Sequence, residues 1–226
     1  MQLFITDEFQ VKDNVLIVTE KRIIDQLRKV LRAKTWYIFY IQNKTWNKIT
    51  RYKAEVNFVK DKVEANILET ETKEILKNNW KWVITGILNK FDKMELIVQK
   101  LTEIWISKIY FVPLERSQFK EIKENKKQRF YKIALEAAEQ SWSWDYPDIQ
   151  IFKNISEIKG TKAVLNFDWD FYKNVDFQNI DFLVIWPEWG LTDKDLEQIQ
   201  AEKKISLWSK ILRAETATIV WGFILN

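Results

Sequence analysis

Apolar positions in the first third of the chain follow two periods. "QLFIT" (2–6), "NVLIVT" (14–19), "YIFYIQ" (37–42), "YKAEVNFV" (52–59) and "KVEANILE" (62–69) are short β-branched and aromatic runs between polar turns, the pattern of strands. "EKRIIDQLRKVL" (20–31) instead spaces Ile23, Ile24, Leu27, Val30 and Leu31 as a helix does. Several short strands and one helix predict a small β-barrel over 1–75. The largely polar "ETKEILKNN" (71–79) reads as a linker.

Beyond it the two periods alternate. "KWVITGIL", "SKIYFVPL", "DIQIF", "KAVLNFD", "DFLVIW" and "KKISLW" read as strands. "KFDKMELIVQKLTEI", "KKQRFYKIALEAAEQS", "TDKDLEQIQ" and "AETATIVWGFIL" read as helices, the third with Thr192 as its N-cap. Such alternation over 76–226 predicts an α/β domain with a mostly parallel sheet. Ligands bind such sheets at the C-terminal strand ends. The turns after Phe167, Ile185 and Leu207 are therefore expected to form the site.

The chain has 226 residues, 46% hydrophobic and 30% charged, enough apolar mass for a core in one large or two small domains. No apolar run approaches the ~20 residues that span a bilayer. No signal pattern opens the chain, so a cytoplasmic protein with no membrane partner is expected. Cysteine and histidine are absent, which excludes disulfides, thiolate–zinc ligation, cysteine nucleophiles and an imidazole base. No metal is expected. The net charge of +4 and pI near 9.0 fit either a lysine-rich solvated surface or an anionic partner such as RNA. Composition alone favours the former.

Twelve tryptophans accompany only four glycines. Average usage of ~7% glycine would place roughly 16 in this length, which is the number the two residue types reach together.

No Gly-rich dinucleotide fingerprint or phosphate loop follows any strand. The strand-end turns carry "NFDWDF", "IWPEWGLT" and "SLWSKILRAETA". The last two, with "KMELIVQKLTEIW", "PLERS", "ALEAAEQSWS" and the N-terminal "LRKVLRAK", resemble in order the motifs of the bacterial small-subunit ribosomal RNA uridine-N3 methyltransferases of the SPOUT superfamily. In that family the turns read G-P-E-G-G and S-L-G-x-x-I-L-R-x-E-T-A, and the motif matched by "PLERS" reads P-x-x-[ST]-E-R-S, two residues longer.

The departures run in one direction. Trp105, Trp142, Trp186, Trp189 and Trp208 stand where the family carries glycine, and Trp36 and Trp46 in polar turns are assigned with them. Glycine serves positions of positive φ or close backbone approach, and tryptophan suits neither. The replacement is expected if UGA codons that encode glycine in the source organism have been read as tryptophan. A genuinely tryptophan-rich divergent member is the rival reading.

The resemblance implies two domains: a PUA-like β-barrel over 1–75 that helps hold RNA, and a SPOUT methyltransferase domain over 76–226 with a deep C-terminal trefoil knot. It implies S-adenosylmethionine as cofactor, 16S ribosomal RNA of the small subunit as substrate and a homodimer. Cofactor contacts would come from Asn166, Phe167, Ile185, Trp186, Pro187, Glu188, Trp189, Gly190, Leu207, Trp208, Ile211, Leu212 and Thr216, mostly through backbone groups. Arg213 is the candidate cation for a developing uracil anion, with a structural pair to Glu215 or to a carboxylate of a partner subunit as its bland alternative. Glu188 is either an acidic group near the methyl donor or a turn residue bonding backbone N–H groups. Arg22, Arg28, Lys29, Arg32, Arg116, Gln140 and Ser141 are candidate RNA contacts, with Lys126, Lys127 and Arg129 beside them; any one of the lysines could equally be a solubilising charge. Two alternatives stay open: a non-catalytic RNA-binding assembly factor on the same fold, and a SPOUT methyltransferase with another RNA target.

Overall fold

A computed structural model describes residues 2–45, 48–74, 82–186, 188–207 and 211–225. The chain forms two compact units, one of Met1–Lys77 with Glu139–Asp145 and one of Asn78–Ala138 with Tyr146–Asn226.

The first unit is a six-stranded sheet. Its strands are β1 (Leu3–Ile5), β2 (Phe9–Lys12), β3 (Val15–Val18), β4 (Ile38–Thr45), β5 (Lys48–Val59) and β6 (Val63–Glu74), in the order β1-β4-β5-β6-β3-β2. β1 pairs parallel with β4 and every other pairing is antiparallel. Alternation along the strands sends one face inward, so Leu16, Val18, Phe39, Ile41, Val63 and Ala65 are buried. Helix α1 (Lys21–Asp25), continued by a π turn over Gln26–Val30, adds Ile23, Ile24 and Leu27 to that core.

Two readings differ here. β2 escapes the alternation because Gln10 and Lys12 leave it little apolar signal and its residues are exposed or half-buried. Residues 71–74, expected in the linker, extend β6, where Lys48 pairs with Glu74. Polar residues suffice there because that end of the β5–β6 ribbon is exposed.

The second unit is a six-stranded, all-parallel sheet. Its strands are β7 (Trp82–Gly86), β8 (Lys108–Val112), β9 (Asp148–Ile151), β10 (Lys162–Phe171), β11 (Phe182–Ile185) and β12 (Lys203–Ser206), in the order β12-β10-β11-β7-β8-β9. The connecting helices are α2 (Phe91–Glu103), α3 (Glu124–Ser141), α4 (Asp193–Ile199) and α5 (Ala214–Leu225). Parallel strands covered on both faces read as continuous apolar runs, and β11 is buried at all four positions. Thr192 caps α4 with a complete capping box, its hydroxyl accepting from the Asp195 N–H while the Asp195 carboxylate accepts from the Thr192 N–H. α5 lies on α2 closely enough that a Cβ on Gly222 would sit 2.6 Å from Leu101 Cδ2.

One strand end moves. β10 does not stop after Phe167; it runs to Phe171, with a register shift between Leu165 and Asp170 against β12. A bulge inserts unpaired residues without ending a strand, so the Asp168 and Asp170 turn signals mark an irregularity instead. The turn that follows β10 is the 3-10 turn at Tyr172–Asn174.

Candidate functional site

β11 lies between β10 and β7. From β7 the chain proceeds outward through β8 and β9, whereas β10, β11 and β12 fill the other half of the sheet. The order therefore reverses at the β7–β11 junction, and the crevice beyond the C-terminal ends at such a reversal is where open α/β sheets take ligands.

Two segments leave that junction. After β7 come Ile87, Leu88, Asn89 and Lys90, then α2. After β11 come Trp186, Pro187, which lies outside the described residues, Glu188, Trp189 and Gly190. They are tied together by Glu188. Lys93 Nζ donates to Glu188 Oε1 at 2.9 Å and the Asn89 N–H donates to Oε2 at 3.3 Å. Lys93 Nζ also lies 3.6 Å from Glu215 Oε2 in the first turn of α5. The bond to Glu188 is the foremost cause holding the Lys93 ammonium above the ordinary lysine range, ahead of desolvation, which acts the other way. Both Glu188 oxygens are thus engaged, one by a backbone N–H, as the turn-residue alternative described. Glu215 Oε2 and Asn89 Oδ1 are buried without a hydrogen-bond partner.

The loop after β8 is stitched to the same turn. Arg116 Nη1 donates to the Trp189 carbonyl at 2.6 Å. Thr192 Oγ1 donates to Glu115 Oε2 at 2.6 Å, and the Glu115 N–H donates to Asp195 Oδ1 at 2.9 Å. Gly190 has φ +74, and a Cβ there would stand 3.8 Å from Arg116 Nη1. The glycine is required by its backbone angle rather than by crowding.

Of the remaining candidates for cofactor contact, Ile185 and Leu207 are buried. Asn166 and Phe167 lie in β10 itself. Trp186 packs into the main core of the unit, and Trp189 is exposed. Trp208 lies outside the described residues. Ile211 is exposed, Leu212 packs against the core and Thr216 is exposed on α5. Arg213 is exposed just before α5, where its carbonyl accepts from the Ala217 N–H. Among the described residues it has no salt bridge. Glu215 pairs with Lys93 instead, which removes the Arg213–Glu215 alternative.

In the first unit Arg22 is committed internally. Its guanidinium donates to Glu20 Oε1 at 2.7 Å, to both oxygens of Glu139 and to the Ile5 carbonyl. Glu139 also accepts from the Ile5 N–H at 2.9 Å. Burial pushes the Glu139 carboxyl above the usual glutamate range against those bonds. Removing Arg22 leaves a buried carboxylate without its cation, so Arg22→Ala is expected to lower stability at neutral pH by about 2–3 kcal/mol. The sign with pH follows from the raised folded-state pKa. A group raised in this way favours the fold below its unfolded pKa, and that contribution is lost as pH rises through the folded value. Deleting Arg22 raises it further, so the deficit measured by urea denaturation at about pH 5 should be smaller than at about pH 7.

Arg28 is exposed, Lys29 pairs with Asp25 at 2.8 Å, and Arg32 is exposed with φ 48. Gln140 is exposed and the buried Ser141 hydroxyl has no hydrogen-bond partner. Lys126 Nζ lies 4.8 Å from the Phe91 ring centroid and Arg129 pairs with Glu95.

Tryptophan backbones sort into two groups. Trp36, Trp105 and Trp142 have φ of 77, 64 and 56. Trp105 is the C′ residue of a complete Schellman motif: its N–H donates to Thr102 O and the Ile106 N–H to Leu101 O. That position is ordinarily glycine. Trp186 and Trp189 are not among the positive-φ residues, and Trp46 lies outside the described residues.

A family model described as an RNA methyltransferase domain matches residues 76–226. Ribosomal RNA small subunit methyltransferase E of Bacillus subtilis (strain 168) is 30% identical over 198 residues, spanning 74% of this chain and 73% of that protein. The chain belongs to this RNA methyltransferase family. Its namesake in Rickettsia conorii is 28% identical over 180 residues, spanning 74% of this chain and 72% of the relative. Two solved structures share the fold. A methyltransferase of Legionella pneumophila with bound SAM superposes with TM-score 0.81 at 23% identity, over 99% of this chain and 96% of that one. The Neisseria gonorrhoeae methyltransferase E bound to S-adenosyl methionine gives 0.80 at 20%, over 100% and 96%.

Lys93, Asn89, Glu115, Asp195 and Glu139 are site or framework residues that reading the sequence passes over. Lys93 opens the quoted "KMELIVQK" motif, and Glu115 and Glu139 lie inside "PLERS" and "EAAEQS". A polar residue kept inside an apolar motif is the signal that could have found them.

Proposed function

We propose that the chain methylates N3 of a decoding-region uridine in 16S ribosomal RNA, using S-adenosylmethionine. The observation that carries this reading is the site at the β7–β11 junction in a chain of the RNA methyltransferase family. The donor set suits a cationic cofactor. Glu188 and Glu215 outnumber Lys93, and one buried Glu215 oxygen awaits a hydrogen bond. When bound, the cofactor supplies an electrophilic methyl group on a sulfonium.

The chain's part is positioning and charge. Backbone groups at 185–190 and 207–212 hold the donor, Arg116 braces the turn from the other side, and Arg213 stands free to stabilise the uracil anion left when N3 loses its proton. Uracil C5 chemistry through a cysteine adduct is closed to a chain without cysteine. Residues 1–75 act as a PUA-like RNA-holding domain. The methyltransferase domain over 76–226 carries the C-terminal knot, the chain works in the cytoplasm, and no metal takes part. Val220 and Phe223, three apart on the outer side of α5, are exposed, and a second copy covering them makes the homodimer.

Mass mapping of 16S RNA from cells with and without the gene tests the reading. One uridine in the decoding region should lose a methyl group in the deletion strain and regain it on complementation. Unchanged RNA, together with no titratable S-adenosylmethionine binding, would leave the non-catalytic assembly factor.

A further inference from the structure

The Lys93 ammonium sits where three segments of the second unit converge: the first turn of α2, the turn after β11 and the first turn of α5. It contacts Glu188 at 2.9 Å and Glu215 at 3.6 Å, and all three side chains are largely buried. Two carboxylates held around one point and largely out of water repel each other unless a cation stands between them. A lysine on a four-carbon stem serves both as a point charge. The Asn89 N–H completes the hold on Glu188.

We propose that Lys93 is a positioning residue for the methyl-transfer site: it fixes Glu188, and through it the turn at 188–190, against the start of α2. This rests on the function proposed above. Lys93 acts through Glu188 and touches no reacting atom. The turn is thereby ordered before ligand arrives, so its contribution appears in cofactor affinity rather than in turnover at saturation.

The test uses Lys93→Met, Glu188→Gln, the double variant and Lys93→Arg in the full chain. Amide hydrogen exchange is followed without ligand, and S-adenosylmethionine binding is titrated separately. Each of the first two variants should speed exchange at 188–192 and weaken cofactor binding about tenfold or more, with β7 and β11 still protected, and Lys93→Met should hold kcat at saturating cofactor within about threefold. The double variant should be no worse than Lys93→Met alone, because both changes break one connection. Lys93→Arg should keep cofactor binding within about threefold of the parent, since it preserves the charge.

Unchanged exchange in Lys93→Met would overturn the assignment, as would effects that multiply in the double variant. Loss of protection across β7 and β11 would make Lys93 a general stabilising residue and overturn it too. Should the parent bind no S-adenosylmethionine while the exchange pattern holds, the proposed function fails and the placement of Lys93 stands.

Discussion

Trp221→Gly lowers the unfolding free energy by about 4–6 kcal/mol, whereas Trp105→Gly raises it by about 1 kcal/mol. The opposite signs come from opposite environments. Trp221 is fully buried in α5, edge-on to Tyr172 and Phe177 with ring centroids at 6.0 and 5.4 Å. Glycine there opens a cavity and weakens the helix. Trp105 is 61% exposed with φ 64, so glycine relieves backbone strain and forfeits little burial. Trp36, 74% exposed with φ 77, behaves as Trp105 does. Trp142 is intermediate, because its ring packs on Tyr40 at 4.9 Å and lies 5.7 Å from the Arg51 guanidinium, offsetting the relief. Urea denaturation of the four single variants orders them. The codons are expected to follow the same division, UGA at 36, 105 and 142 and UGG at 221 and at 82, where the Trp82 ring packs on Phe182 and under Lys108. A UGG codon at 105, or intact mass from the native source matching twelve tryptophans, would refute recoding.

Arg213→Ala lowers single-turnover methyl transfer by about 10²–10³-fold, the usual loss when one preorganised donor to a developing anion is removed. Its melting temperature should stay close to that of the parent, because the side chain is exposed and has no salt bridge among the described residues. Arg213→Lys should recover part of the rate, keeping charge without the fork. The contrast with Lys93→Met is diagnostic, since that variant loses affinity and this one loses turnover. Equal methylation by Arg213→Ala and the parent would remove Arg213 from the chemistry.

The elements were legible where periodicity was strong. The parallel sheet, the Thr192 cap and the helices α2 to α5 follow from apolar spacing that tertiary packing reinforces. What stayed hidden was polar. Gln10 and Lys12 masked β2, and Asp168 and Asp170 disguised a bulged continuation of β10 as a turn. Of the three expected strand-end turns, the one after Ile185 follows β11, the one after Phe167 gives way to the continued β10, and the one after Leu207 opens on residues 208–210, outside the described residues. Lys93 and Glu139 were not legible as partners, because each pairs with a carboxylate or guanidinium about a hundred residues away. Distance in sequence carries no mark of such a pair. The glycine-like tryptophans were visible only against a family pattern, and φ then separated Trp105 from Trp186.

The residues Glu139–Asp145 belong to the first unit. Gln42 and Arg51 reach the carbonyls of Trp142, Ser143 and Trp144 there, and Lys44 reaches Asp145. The first unit is therefore not finished when its own strands have been synthesised. During translation, Arg22, Gln42 and Arg51 emerge into water long before their partners do, and they must wait for the intervening strands and α3 to be made. The order of synthesis and the order of completion are inverted, and a ribosome stalled before codon 139 would hold a sheet that is folded in outline and unsealed in its polar core.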